Sequence, residues 1–308
     1  MTPEAGHFLP ETIQNIGIDW PPTLQFAPRI DITCEMTMSN LERIFKRPAA
    51  LPTISTVVLD LYEMTKDSAV PLSSMVKIIS ADQVLAAKVL RTANSAYFGR
   101  SGSVSRLEDA ISTIGIHTLR TTIITNGLMK AIPEVQGIDM PAYWKMGLHT
   151  AFMASHLAAK TDHDRDEAFI TGLMQGLGVL LIHLVMPNEA SEVVQHVAPL
   201  DFMKRRAVEK EHLGFDNAEV AAELLKRWKF PVAIQKALLT YSNVEPLPDK
   251  LGQLLSVSSA FAFSVVSGLD ESSVAERVDP HVFFRIALAQ DWWAVSRDRV
   301  SASVNLMI

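Results

Sequence analysis

The sequence predicts an all-α protein, and three observations support this class. Apolar residues recur at helical spacing through most of the chain after residue 52, helix caps and prolines separate these runs, and strand-like alternation is almost absent. With 308 residues, 48% of them hydrophobic and 20% charged, the chain has enough apolar material for a large core in one or two domains.

The first half of the chain is predicted to begin with an irregular arm over residues 1–45, which hold several prolines and one short helix near 41–45. Pro71 suits the first position of a helix, and Asp82 is placed to cap the next one. The sequence Ser-Arg-Leu-Glu at 105–108 predicts a capping box. Helices are therefore expected over 54–64, 71–79, 82–93, 105–114 and 118–131, with Gly115 as a break.

The second half follows residues 133–141, whose prolines and Gly137 predict a domain junction. Asp216 with Glu219 three residues later is a second cap signature, and Asp279-Pro280 opens a last helix. That helix is expected to carry the aromatic cluster Phe283, Phe284, Trp292 and Trp293, with Ile286. The other helices of this half are expected over 142–160, 166–186, 188–198, 200–213, 217–229, 232–241 and 250–266.

Composition excludes several classes of protein. The net charge of −6 gives no field that attracts nucleic acid or an anionic membrane, so neither is expected as a partner. The basic cluster 204–206 is expected to be a solvated helix face. A single cysteine, Cys34, excludes an intramolecular disulfide and a Cys-rich zinc site, and no signal-peptide pattern opens the chain, which favours the cytoplasm. Two uncharged stretches, 169–186 and 251–268, approach membrane-spanning length but are better explained as buried core helices.

Residues 81–98, with the sequence ADQVLAAKVLRTANSAYF, resemble the signature of the HDOD family of bacterial regulatory domains. In that family an Asp-Pro pair and a Leu precede a Leu-Arg-x-Ala-Asn-Ser-Ala segment, and here Gln83 replaces the proline. The positions of this chain that match the family pattern are Asp82, Leu90, Asn94, Ser95 and, further along, Gly115. Weaker matches lie at 51–52, 104–115, Trp144, 168–169, 172–173 and 228–231.

The resemblance implies a two-lobed helical fold whose second lobe is related to the HD phosphohydrolases. It places an HDOD domain over 46–270, with lobes at about 46–136 and 141–270, between the arm 1–45 and a C-terminal aromatic helix and tail at 271–308. The final helix packs on the core, covers a lobe or contacts a partner, and a homodimer through it is compatible with the sequence.

The resemblance also implies where an HD enzyme would hold its metal. Such an enzyme binds one or two divalent ions through imidazole and carboxylate groups. The His-Asp pair of the family falls on Gln175-Gly176, of which the first is a poor ligand and the second none. The remaining ligand positions fall on Met146, Asn217, Tyr241, Ser242 and Ser259. We therefore expect no catalytic residue, no metal and no cofactor.

Two alternative sites remain open at this stage. His149 and His156 share a helix face and, with His183, could rebuild a metal site, although packing or hydrogen bonding explains each of them more simply. The vacated positions Gln175, Asn217, Tyr241 and Ser242 could line a polar cavity for a small molecule. Asn94 and Ser95, at a helix end, are expected to bond the backbone and fix the following turn.

These observations favour a non-catalytic signalling module that acts through contacts with an unknown signalling protein, such as the output domain of a response-regulator system. The alternative is a residual metal-dependent phosphohydrolase, or a protein that binds a nucleotide second messenger. No nucleophile elbow, phosphate-binding loop or His-Glu-x-x-His pair is present in the sequence.

Overall fold

The computed structural model describes residues 38–46, 52, 55–65, 69–99, 103–243, 247–286 and 292–308. All regular structure within these ranges is helical, which confirms the predicted all-α class. Most of the predicted N-terminal arm, with Cys34, lies outside the described residues, as do Leu51, Ile54 and the side chain of Phe284. The arm's predicted short helix is present as α1, Met38–Phe45.

The chain divides into two compact units. The large unit comprises Met1–Ile44 and Gly137–Val300, and the small unit comprises Phe45–Gln136 and Ser301–Ile308.

The small unit is built around one long helix, α5, which packs against α2, α3 and α4. The helices of this unit are α2 Thr56–Met64, α3 Leu72–Ala81, α4 Gln83–Ala93 and α5 Leu107–Ala131, with a 3₁₀ turn at Ala96–Phe98.

The helix ends of the small unit test the predicted caps. Asp82 accepts hydrogen bonds from the backbone N–H groups of Val84 and Leu85, both at 3.1 Å, as expected for a cap of α4. The predicted capping box at 105–108 is wrong, because α5 begins one residue too late for it and its N-cap, Arg106, makes no side-chain cap bond. Pro71 is the N-cap of α3 rather than its first residue. Gly115 interrupts α5 with a φ of 76°, which confirms the predicted break.

The large unit is centred on α6, which packs against α7 and α13, while α11 packs against α8 and α12. Its helices are α6 Met140–Ala158, α7 Arg165–Met174, α8 Leu177–Val185, α9 Pro187–Val194, α10 Phe202–Leu213, α11 Asn217–Arg227, α12 Val232–Thr240, α13 Lys250–Val266, α14 Ser272–Ala275, α15 Pro280–Ile286 and α16 Trp292–Met307, the last of which continues into the small unit.

Two predicted helices of this unit are wrong in extent. The run 166–186 forms two helices, α7 and α8, separated at Gln175 and Gly176. The predicted last helix, with both its phenylalanines and tryptophans, is split between α15 and α16, and residues 287–291 lie outside the described part of the chain.

The stretch Arg165–Val185 is long and apolar enough to cross a membrane by length and composition. However, 94% of its apolar window is buried inside the protein, as expected for core helices.

Candidate functional site

The junction between α7 and α8 holds the pair Gln175-Gly176. The Gln175 side chain is 1% exposed and donates from Nε2 to the Ser259 hydroxyl of α13, at 2.8 Å. Burial raises the pKa of Tyr241, which lies against Gln175 at the end of α12 and is also 1% exposed. Gln175 thus contacts two other implied ligand positions, Ser259 and Tyr241, deep in the large unit.

Gly176 sits where two aromatic rings close over the junction. A Cβ atom at this position would lie 2.8 Å from Cε2 of Tyr143 and 2.9 Å from Cε2 of Phe202. These two rings lie 6.0 Å apart between centroids, on α6 and α10. The space that a carboxylate side chain would need at this position is therefore filled by protein.

Asn217, at the start of α11, belongs to a buried chain of polar groups that we call the Arg205 network: His183, Arg205, Glu209 and Asn217. The Arg205 guanidinium donates from Nε to Glu209 Oε1 at 2.7 Å. Glu209 Oε2 accepts from the backbone N–H and the Nδ2 of Asn217, each at 2.7 Å. Arg205, Glu209 and Asn217 are all 0% exposed.

His183 completes the Arg205 network from the last turn of α8. Its Nε2 lies 3.3 Å from Nη2 of Arg205. Because a guanidinium only donates, this contact requires the imidazole Nε2 to accept. His183 is therefore hydrogen-bonded, as the simpler sequence-based interpretation held, and its neighbour is a cation.

Ser242 and Tyr241 belong to a second cluster, the Arg206 network: Arg206, Asp216, Tyr241 and Ser242. Arg206 donates to Asp216 Oδ2 at 2.9 Å and to the Ser242 hydroxyl at 2.5 Å. Its third bond goes to the backbone carbonyl of Leu239, at 3.0 Å. The guanidinium carbon lies 5.5 Å from the centroid of the Tyr241 ring, within cation–π range.

The electrostatics of the two networks differ. Burial lowers the pKa of Arg206, but the Asp216 carboxylate more than offsets this and raises it above its ordinary value. Burial also raises the pKa of Glu209, and in this case the opposing effect of Arg205 does not fully compensate. Both arginines are held in ionic pairs inside the protein.

The expectation that 204–206 form a solvated face is wrong for Arg205 and Arg206. They are 0% and 4% exposed, and only Lys204 faces solvent. Asp216 is predicted from the sequence only as a cap, a role it does fill with Glu219 in a capping box. Glu209 is not predicted, because its only local signal is the four-residue spacing from Arg205.

The residues at the implied ligand positions do not fit an HD-type metal ion. They supply a thioether at the buried Met146, two amides, hydroxyls and a phenol, whereas such an ion is held by imidazole and carboxylate groups. The nearby carboxylates of Glu209 and Asp216 are already paired with guanidinium groups. Within the described ranges, no three His, Cys, Asp or Glu side chains are grouped as they would be to hold a metal.

The alternative histidine site is likewise not assembled. His149 Nδ1 donates to the carbonyl of Lys145 at 2.8 Å, and burial lowers its pKa. The pKa of His156 is lowered to about 4 by burial and by the nearby charges of Lys160, Arg299 and Arg165. These two histidines and His183 are not part of any group of three potential ligands in the described structure.

Two motif residues of the small unit, Asn94 and Ser95, form hydrogen bonds with backbone groups. Asn94 bridges the loop after α4, donating from Nδ2 to the carbonyl oxygens of Leu90 and Val104 and accepting from the Val104 N–H. Ser95 donates to the Thr92 carbonyl. This confirms that both side chains bond the backbone.

A family model for the HDOD domain matches residues 51–244 of the chain. The chain belongs to the HDOD family. An HDOD domain protein of unknown function from Geobacter sulfurreducens has 22% identity and a TM-score of 0.67, over 88% of this chain and 99% of that one. This agreement confirms the HDOD fold.

Two other solved structures share the fold. A candidate signal transduction protein from Marinobacter aquaeolei VT8 is 18% identical, with a TM-score of 0.70 over 96% of this chain and 68% of that one. A candidate phosphohydrolase from Shewanella amazonensis SB2B is 24% identical, with a TM-score of 0.65 over 86% of this chain and 98% of that one.

A curated relative, an uncharacterized protein from Treponema pallidum, is 22% identical over 244 residues. The match covers 78% of this HDOD chain but only 47% of the relative, so the chain spans about half of that protein's length.

Proposed function

We propose that this HDOD protein is a non-catalytic regulatory module of a bacterial signalling pathway and that it acts through protein contacts. The observation that carries the proposal is a pair of buried arginine–carboxylate ion pairs beside the positions where the family resemblance implies metal ligands. Arg205 and Arg206 bring positive charge to the positions around Asn217 and Ser242, where the family resemblance implies metal ligands.

A divalent ion at this place would have to compete with both guanidinium groups for the same carboxylates. Glu209 and Asp216 are at most 1% exposed in their side chains, so losing either arginine would leave an uncompensated charge in the interior. The networks therefore favour a stable, metal-independent core over a reactive centre. The structural similarity to the Marinobacter protein, a candidate signal transduction protein, supports a regulatory role.

The alternative is a residual phosphohydrolase, the class of which the Shewanella protein is a candidate member. The decisive experiment is to express the full chain in medium supplemented with manganese, iron and zinc. Bound metal is then measured, together with hydrolysis of cyclic dinucleotides and of a generic phosphodiester. We expect neither stoichiometric metal nor metal-dependent turnover. Stoichiometric metal accompanied by metal-dependent turnover would contradict the proposal.

One observation favours binding of a small polar molecule as a second candidate function. Asn217 Oδ1 and Arg205 Nη1 are buried and have no hydrogen-bond partner among the described residues. A bound molecule or ordered water could satisfy such atoms. A thermal-shift screen with nucleotides, cyclic dinucleotides and common metabolites tests this candidate, and the absence of any stabilisation would count against it.

A further inference from the structure

Helix α4 of the small unit has a solvent-facing stripe in addition to its buried one. Val84, Ala87, Lys88 and Arg91 follow the i, i+3, i+4, i+7 spacing and therefore line one side of the helix. We call these four residues, with Gln83, the α4 outer face. The residues that α4 buries in the core are Leu85, Val89, Thr92 and Ala93.

The α4 outer face borders an open space of about 410 Å³, and the described residues that line it all belong to this helix. Val84 is 57% exposed there, although a branched apolar side chain is ordinarily covered. The exposed Ala87 lies about one helical turn further along. The α4 outer face therefore offers an exposed apolar patch to a partner.

Two cations, Lys88 and Arg91, lie at the other end of this face. Neither Lys88 nor Arg91 forms an ion pair or a side-chain hydrogen bond within the described part of the chain. Burial of the Lys88 stem and the neighbouring charge of Arg91 lower the pKa of Lys88. Asp82, the one acidic residue within 69–99, is already engaged by Lys130 at 2.7 Å.

This local excess of positive charge lies on a chain whose net charge is −6. Two cations beside an exposed apolar patch match a short acidic segment with an apolar anchor. Nucleic acids and anionic membranes are poorer matches, because they require more cations than this face presents.

We propose that the α4 outer face docks an acidic amphipathic segment of a protein partner. An apolar side chain of the segment packs on Val84 and Ala87, and its carboxylates pair with Lys88 and Arg91. This inference rests on the proposed function and specifies the chemistry of the partner that the regulatory module would contact.

The test uses three fluorescent helical peptides that carry leucine at every third or fourth position. The positions between the leucines are glutamate in the first peptide, glutamine in the second and lysine in the third. Binding to the full chain is followed by fluorescence anisotropy at low and high salt. We expect the glutamate peptide to bind about tenfold more tightly than the glutamine peptide, with a preference that weakens as salt increases.

The double variant K88E/R91E should lose this preference and gain a preference for the lysine peptide. The matched control K204E/R285E makes the same change of charge at two exposed bases elsewhere and should bind like the parent chain. Circular dichroism establishes that both variants are folded. If K88E/R91E does not fold, the milder variant K88Q/R91Q, compared with K204Q/R285Q, carries the same test and should lose the preference for the glutamate peptide.

Equal affinity of the parent chain for the glutamate and glutamine peptides would overturn the docking proposal, as would equal losses in the two double variants. Loss of binding to phosphatidylserine vesicles in K88E/R91E, without any binding of the glutamate peptide, would instead assign the face to a lipid surface and also overturn it. None of these results bears on metal content or turnover. The proposed function is therefore tested separately, by the metal and hydrolysis measurements.

Discussion

Arg205 and Glu209 show at the scale of single residues how the interior is held together. Both side chains are 0% exposed and joined at 2.7 Å. Replacing Arg205 with Met leaves the Glu209 carboxylate without its cation in a low-dielectric interior. We expect R205M to lower the free energy of unfolding by about 3–5 kcal/mol, measured by urea denaturation.

A surface pair provides the control for this prediction. Arg227 and Glu223 are also four residues apart and lie 2.9 Å from each other, but their side chains are 45% and 25% exposed. R227M should therefore cost less than about 1 kcal/mol. The double variant R205M/E209Q should lose less stability than R205M, because no carboxylate is stranded. Similar decreases in the free energy of unfolding for R205M and R227M would show that the buried pair contributes no more to stability than the surface pair.

The caps formed by Asp82 and Asp216 were predictable from local sequence, whereas roles set by tertiary contacts were not. Asp82 and Asp216 cap helices through backbone groups two or three residues away, so their roles were visible in the sequence. Arg206 lies two residues after the exposed Lys204, yet its partners Asp216 and Ser242 lie outside α10. No local pattern distinguishes such an arginine from a solvated one.

At the scale of elements, glycines allow both halves of the predicted helix over 166–186 to pack closely against neighbouring helices. At Gly172 an added Cβ would lie 2.7 Å from Cα of Ala151, and at Gly178 it would lie 1.8 Å from the carbonyl oxygen of Asn217. The apolar pattern correctly predicted helical conformation. The break at Gln175 and Gly176 depends on packing against α6 and α10, which periodicity does not report.

Gly178 allows α8 to approach the start of α11 closely. We expect G178A to destabilise the chain by about 1–3 kcal/mol or more, since its methyl group would overlap the backbone of Asn217. Thermal and urea unfolding provide the measurement.

Gly147, within α6, is the matched control for this substitution. An added Cβ there meets nothing closer than the Leu173 carbonyl oxygen at 4.0 Å. G147A should therefore be neutral or stabilise the chain by up to about 1 kcal/mol, because alanine favours the helix. If G178A proved as well tolerated as G147A, close contact between α8 and α11 would not be the reason for the glycine.

At the scale of the whole molecule, the implied metal site draws on several helices of the large unit. Met146 lies on α6, Gln175 ends α7, Asn217 begins α11, Tyr241 ends α12 and Ser259 lies on α13. The HDOD fold could be predicted because its apolar pattern and the signature at 81–98 persist. The contacts at this site could not be predicted, because they depend on how side chains from five elements pack together.

Restoring the family's His-Asp pair alone should therefore not restore a metal site. In Q175H/G176D the other implied positions still lack imidazole and carboxylate ligands, and Arg205 and Arg206 retain their carboxylates. The new aspartate would also crowd the Tyr143 ring, 2.8 Å from its Cβ, so this variant should be less stable than Q175H.

We expect neither variant to show a rise in melting temperature with manganese or zinc. A site with the ion at about 100 times its Kd would gain about 2.7 kcal/mol, which a thermal shift detects readily. A metal-dependent rise in Q175H/G176D that Q175H lacks would show that only this pair separates the chain from a metal-binding relative.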